Sequence, residues 1–262
     1  MKKNFLILFI TTFVFGAEYM TKIEPFEIYT LKSAVSGKVV KSDLSKEGEN
    51  VENYEIIKID SKIDEANLKS LKIKLENLEK ILQTDMKILK NLKELSRVKK
   101  ENYERIKDLK TKSKFEKDAK LTDFLLTNNQ YLNQKEKIEN LKNQIEDIKY
   151  NIKRLKDILE KKSVKVSGYV YKIYVKEGDF AAIGTKLADI ADISKAKIVI
   201  YLDKEEIENI ENKKIYIDGK ETKLRFSKIY KVADPVHISA YRAEIVTKAP
   251  KIFSKIVKVE IK

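Results

Sequence analysis

One β motif occurs twice in this chain, and residues 62–162, which carry a helical heptad pattern, separate the two copies. The first copy reads Val35-Ser36-Gly37-Lys38-Val39, then Glu47-Gly48-Glu49-Asn50-Val51, and closes on Ile57-Lys58-Ile59-Asp60. The second reads Val166-Ser167-Gly168-Tyr169-Val170, then Glu177-Gly178-Asp179-Phe180, and closes on Leu187-Ala188-Asp189-Ile190. Gly37, Gly48, Gly168, Gly178 and Gly184 punctuate the two copies and are expected at their turns. Halves this alike are expected to complete one small β sandwich, so the segment between them is an insertion projecting as a long arm. A chain built that way reaches and docks rather than catalyses.

Within the insertion, Leu68, Leu71, Leu75, Leu78, Leu82, Leu89 and Leu92 follow alternating steps of three and four, with Asp85 interrupting one core position. Past Leu92 the apolar spacing slips through Leu95, Val98, Ile106 and Leu109, as a stutter would produce. The second arm keeps the pattern without a miss through Ile138, Leu141, Ile145, Ile148, Ile152, Leu155 and Leu159. Glu76 with Lys80 and Glu101 with Arg105 are spaced to form ion pairs on the outside. No proline or glycine lies between Val51 and Ser167. The chain must still turn, because the two β halves have to meet. Lys110-Thr111-Lys112-Ser113-Lys114 is the poorest stretch for a seam, and Ser113 can cap the following helix. The expected product is an antiparallel hairpin with arms of roughly 70 Å.

Composition narrows the function. Lys and Arg number 55 against 41 Asp and Glu, a formal net charge of +14. Acids and bases interleave as on the solvated outside of a coiled coil, so the excess does not by itself point to nucleic acid. No cysteine is present, which removes disulfides, thiolate metal sites and a Cys nucleophile. One histidine and no phosphate-binding Gly-rich loop leave the common catalytic constellations without their parts, and no cofactor is expected. Lys2 and Lys3 precede an apolar run from Phe5 to Phe15 and the small residues Gly16 and Ala17, the layout of a secretory signal peptide over residues 1–17. The run falls short of a membrane span, so an exported protein is expected.

The remaining chain divides into an N-terminal strand or linker (18–32), a first β half (33–61), the hairpin (62–162, turn near 110–114), a second β half (163–193) and a small β-barrel (194–262). The barrel is read from strands at Lys197–Leu202, Lys214–Ile217, Thr222–Phe226, Lys228–Val232, Tyr241–Val246 and Ile256–Ile261. A short helix capped by Asp203, with Glu206 three positions on, and a tight turn at Asp218-Gly219 punctuate it. The fold class is therefore an elongated α+β chain.

The ordered set of split β halves, intervening hairpin and following barrel with Asp203-Lys204-Glu205 resembles the periplasmic adaptors, or membrane fusion proteins of the HlyD-like family, of tripartite efflux pumps and type I secretion systems. The resemblance covers nearly all of the mature chain and implies that the β halves are lipoyl-like. It also implies a bridge between an inner-membrane transporter and an outer-membrane channel of the TolC type, working as a ring of subunits, commonly six. By the same resemblance a resistance-nodulation-division (RND) transporter is expected ahead of an ATP-binding-cassette one; the want of a methionine cluster favours drugs or other small compounds over metal as cargo, and the export signal sets nucleic acid aside. The protein would lie in the periplasm against the inner membrane. At the hairpin tip the resemblance implies channel contacts from Arg105 and Leu109, which keep the family's spacing, and from Ser113, which follows Leu109 more closely than in the family. Tyr54 stands where the second half has Gly184, another departure. The chain stops after the barrel, where longer relatives add a membrane-proximal domain, so it resembles a short-form adaptor.

Other readings of the same residues are a type I secretion or ATP-binding-cassette adaptor and an exported coiled-coil tether. A lipoate or biotin carrier would need a tight turn bearing a lysine where the helical arm instead begins. Metal export through thioethers would need a methionine cluster, whereas Met20 and Met86 are far apart in sequence and His237 stands alone.

Overall fold

The computed structural model describes residues 17–208, 210, 213–237 and 239–262; the expected signal peptide, Ala17 apart, lies outside the described residues. These residues form two compact units, one from the chain through Lys58 together with Val164–Lys262, the other Ile59–Ser163.

In the first unit the split motif closes into antiparallel strands: β1 (Ala17–Lys32), β2 (Gly37–Ser42), β3 (Asn50–Ile59), β4 (Ser163–Ile173), β5 (Phe180–Ala181) and β6 (Lys186–Leu202), hydrogen-bonded in the order β5-β2-β3-β4-β6-β1. β2 and β3 of the first half lie side by side, and β5 and β4 of the second half take their two outer edges. Val39 N–H donates to Asp179 O at 2.8 Å and Gly178 N–H to Val39 O at 2.9 Å, while Gly48 N–H, in the turn before β3, donates to Val170 O of β4 at 2.8 Å. Val39, Ile56, Ile57 and Ile59 from the first half are buried, as are Val170, Ile173, Leu187 and Ile190 from the second. Neither half carries enough apolar surface to bury alone, so each completes the other.

Gly48, Gly178 and Gly184 adopt φ of +84°, +98° and +87°, the left-handed turn conformation. Gly37 opens β2 and Gly168 lies inside β4, so neither of these two is a turn residue, a correction to their expected placement. Tyr54 lies within β3 and donates its hydroxyl to Asp43 at 2.6 Å; the left-handed residue here is its neighbour Asn53, with φ +45°. Asparagine tolerates that region, so no glycine is needed there.

A second core lies in the same unit. It is formed by the later part of β6 with β7 (Ile215–Ile217), β8 (Lys220–Glu221), β9 (Phe226–Ile229), β10 (Tyr241–Lys248) and β11 (Ile256–Ile261), and by the short α3 (Lys204–Ile207). The pairings β9-β10-β6-β1-β11-β7-β8 carry a small β-barrel around Ile198, Ile200, Leu202, Ala243, Ile245, Val257 and Val259. Asp218 and Gly219, at φ +50° and +77°, make the tight turn between β7 and β8. Asp203 and Glu206 form the expected reciprocal cap. Two strands are longer than the sequence suggests. β6 runs unbroken past residues 193–194, where a boundary is expected, and β1 pairs first with β11, at Ala17↔Ile261, and then with β6. A strand can serve two cores without a loop because only its buried neighbours change along its length.

Gly168 is needed for space as well as φ. At φ +129° an added Cβ would stand 3.0 Å from Ile190 Cγ2 and 3.1 Å from the Ala191 carbonyl. Gly168→Ala is expected to cost about 2 kcal/mol, read as a lower thermal midpoint of the β signal in circular dichroism.

The second unit is α1 (Lys62–Ile106, 45 residues) and α2 (Lys114–Lys162, 49 residues). The seam on α1 runs through Leu68, Leu71, Leu75, Leu78, Leu82, Asp85, Leu89, Leu92, Ser96, Lys99, Tyr103 and Ile106, all buried or half-buried and spaced by alternating steps of three and four; Asp64, Glu101 and Asn102 are half-buried as well. The expected stutter is therefore absent: Leu95 and Val98 lie off the seam, 45% and 38% exposed. Polar residues keep the register because α2 supplies partners for them. Ser96 meets Asn128 at 3.4 Å and Lys99 meets Asp123 at 3.3 Å. On α2, Ile138, Leu141, Ile145, Ile148 and Ile152 are buried as expected. Where the arms meet the β strands, Lys162 pairs with Asp64 and donates to Asp60 O at 2.5 Å.

Asp85 is the discordant seam residue. Its side chain is buried, with Lys137 Nζ 3.1 Å from Oδ1 and no partner on Oδ2. Lys137 is itself largely solvated and loses little if the carboxylate is removed. Asp85→Leu is expected to raise the hairpin's thermal midpoint by several degrees, since an apolar side chain in a seam outperforms a half-satisfied charge; helical circular dichroism during heating measures it.

Candidate docking tip of the helical hairpin

The hairpin turns over residues 107–113. α1 ends with Lys107 N–H donating to Tyr103 O at 3.0 Å and Leu109 N–H to Ile106 O at 3.1 Å. α2 begins at a full capping box. Glu116 N–H donates to Ser113 Oγ at 3.2 Å, while the Ser113 N–H and hydroxyl donate to Glu116 Oε2, each at 3.0 Å. Lys112 Nζ is 3.0 Å from Glu116 Oε1. Lys112 and the Ser113 donors hold the Glu116 carboxyl down at about 2.

The structure distributes the three expected contact residues unequally. Arg105 is exposed in the last turn of α1, and the expected pair with Glu101 does not form. Arg97 takes Glu101 and binds Glu94 as well, so among the described residues no ion pair engages Arg105. Arg97 sits between the two carboxylates, one helical turn after Glu94 and one before Glu101, and its guanidinium reaches both, which leaves Arg105 without its expected partner. Leu109 is 46% exposed. Ser113, by contrast, spends its hydroxyl on the cap, so its role here is to start α2.

One tip residue escapes sequence reasoning. Phe115 is 82% exposed in the first turn of α2, two positions before the half-buried Lys117 that begins the seam. Its signal was an aromatic residue off the seam register, beside a cap. Together Leu109 and Phe115 present apolar side chains amid Lys110, Lys112 and Lys114. Such an arrangement can fill grooves and bond helix-end carbonyls or carboxylates on another protein; it holds no reacting group.

Elsewhere, no group of three His, Asp or Glu residues able to hold a metal occurs among the described residues. His237 stacks edge-on against Tyr201 at 3.8 Å, and its backbone N–H donates to Asp234. Met20 lies on β1 and Met86 on α1. No described helix is long and apolar enough to cross a membrane.

The cap links tip stability to pH. A carboxyl depressed from 4.5 to about 2 stabilises fully above pH 4.5 and loses that contribution as pH falls toward 2. Ser113→Ala is expected to lower the hairpin midpoint by a few degrees at neutral pH, and the difference from wild type should shrink between pH 4.5 and about 2 in thermal unfolding.

No protein-family profile and no curated protein matches the chain. Solved structures do. MacA from Actinobacillus actinomycetemcomitans is similar at TM-score 0.68 and 18% identity, over 94% of this chain and 78% of that one. A MacA-MexA chimera containing the Pseudomonas aeruginosa MexA α-hairpin domain is similar at TM-score 0.61 and 15% identity, over 94% and 81%. The membrane fusion protein Spr0693 from Streptococcus pneumoniae R6 is similar at TM-score 0.57 and 12% identity, over 94% and 98%. At these identities the likeness is one of fold. With a helical hairpin inserted in a split β module and a barrel beside it, the chain has the fold of MacA and of the membrane fusion protein Spr0693.

Proposed function

We propose that this protein is a periplasmic adaptor that joins an inner-membrane transporter to an outer-membrane channel for export, and that it performs no chemistry of its own. The observation that carries the proposal is the combination of this fold with a tip whose Arg105, Leu109 and Phe115 are turned to solvent without internal partners. Its finer form is a ring of subunits, six by family resemblance, on an RND transporter exporting drugs or other small compounds through a TolC-type channel. The apolar run preceding Ala17 supports export to the periplasm. Arg105 and the Leu109–Phe115 pair would dock on the channel's helical ends, with Ser113 positioning them through the cap.

Crosslinked complexes purified from membranes test this reading. A transporter and a channel are expected in the complex, with the transporter's sequence deciding between RND and ATP-binding-cassette partners. Recovery of neither leaves only an envelope tether. Arg105→Asp is expected to preserve helix content and reduce channel recovery severalfold, because it reverses a desolvated charge at the contact. Equal recovery by variant and wild type removes Arg105 from the interface.

A further inference from the structure

A groove of about 730 Å³ opens on the β unit, lined by Tyr169 and Tyr171 of β4, Lys197 of β6, Ile28 of β1, and Lys251 and Phe253 of the segment between β10 and β11. Two local irregularities build it. Pro25 shifts the β1–β6 register before Glu27, since proline cannot donate to the ladder. On the opposite wall Ser254 turns at φ +65°, held there by its N–H donating to Ile23 O at 2.7 Å and by Ile23 N–H donating to Lys255 O at 3.0 Å. The wall is thus fixed in place before any ligand arrives.

The lining has two chemistries. Tyr169, Tyr171 and Phe253 offer aromatic surface, and Tyr171 and Ile252 are 62% and 79% exposed at the rim. Lys22 is neutralised by Glu24 at 3.0 Å, whereas Lys197 and Lys251 have no ion pair among the described residues. Glu27 stands on the same wall, so the unpaired lysines leave a positive balance. The volume is that of a small-molecule site rather than a flat protein interface.

We propose that this groove binds an amphipathic aromatic anion of drug size. Its flat body would lie against Tyr169, Tyr171 and Phe253, and its acidic group would meet Lys197 and Lys251. The site does not depend on the bridging role proposed above, because it requires neither a channel nor a transporter.

Fluorescence titration of the intact protein with 8-anilinonaphthalene-1-sulfonate and with neutral N-phenyl-1-naphthylamine tests it. One saturable site is expected. Tyr171→Ala should weaken both dyes about fivefold through lost ring contact. The double variant Lys197→Gln/Lys251→Gln should weaken only the sulfonate, by about tenfold. Tyr171 and Lys251 are exposed and Lys197 is half-buried, and circular dichroism is to check that both variants keep the wild-type fold. Ile88→Ser/Leu95→Ser, which removes apolar surface from α1, should change nothing. The proposal is overturned if both groove variants bind like wild type or if the α1 variant abolishes binding. It is equally overturned if Tyr171→Ala abolishes a self-association that dye cannot displace, since the groove then seats a second copy.

Discussion

Everything in this structure depends on the hydrogen bonds that join the two β halves. Val39 with Gly178 and Asp179, and Gly48 with Val170, tie together residues separated by the whole hairpin in sequence. β2 and β3 pair with each other, but their outer edges are satisfied by β5 and β4 of the second half, so a chain leaving at Ile59 has to return at Ser163. A helical insertion under that requirement must double back, which fixes antiparallel arms and places a turn near its middle. Loop-closure entropy opposes such distant pairing, and the stiffness of two capped helices reduces that cost relative to a flexible loop.

The hairpin's seam changes character along its length. Toward the β strands, α2 buries Ile138, Ile145, Ile148 and Ile152 against the leucines of α1. Toward the turn, the seam passes through Ser96, Asn128, Lys99 and Asp123, whose polar contacts replace apolar packing. Polar contacts at a partly solvated seam contribute less than buried leucines, so the tip half is the softer part of the coil. Arg105, Leu109 and Phe115 lie at this softer end, as the proposed docking role would require. The capping box at Ser113 limits that softness where α2 begins.

In the β unit, sharing replaces partition. β1 and β6 each contribute to both cores, and β1 brings the start of the described chain alongside β11 near its end. The same sharing leaves the groove between β1, β4 and the Ser254 segment, because Pro25 interrupts the ladder where the pairing passes from one core to the other.

The sequence by itself determined the architecture: the repeated Gly-bearing β motif, the leucine and isoleucine heptads, the Ser113 cap and the Asp218-Gly219 turn all act locally and leave periodic or positional marks. Only the tertiary structure decided which residues fill the seam beyond Leu92, because Ser96 and Lys99 belong there by virtue of Asn128 and Asp123 on the other helix. It likewise decided that Arg97 rather than Arg105 holds Glu101, and that Gly168 serves a crowded strand instead of a turn. The exposure of Phe115 and the continuity of β6 across its expected boundary also depend on partners. Local chemistry is written along the chain, while the choice between competing partners is made by contacts distant in sequence, which no local pattern records.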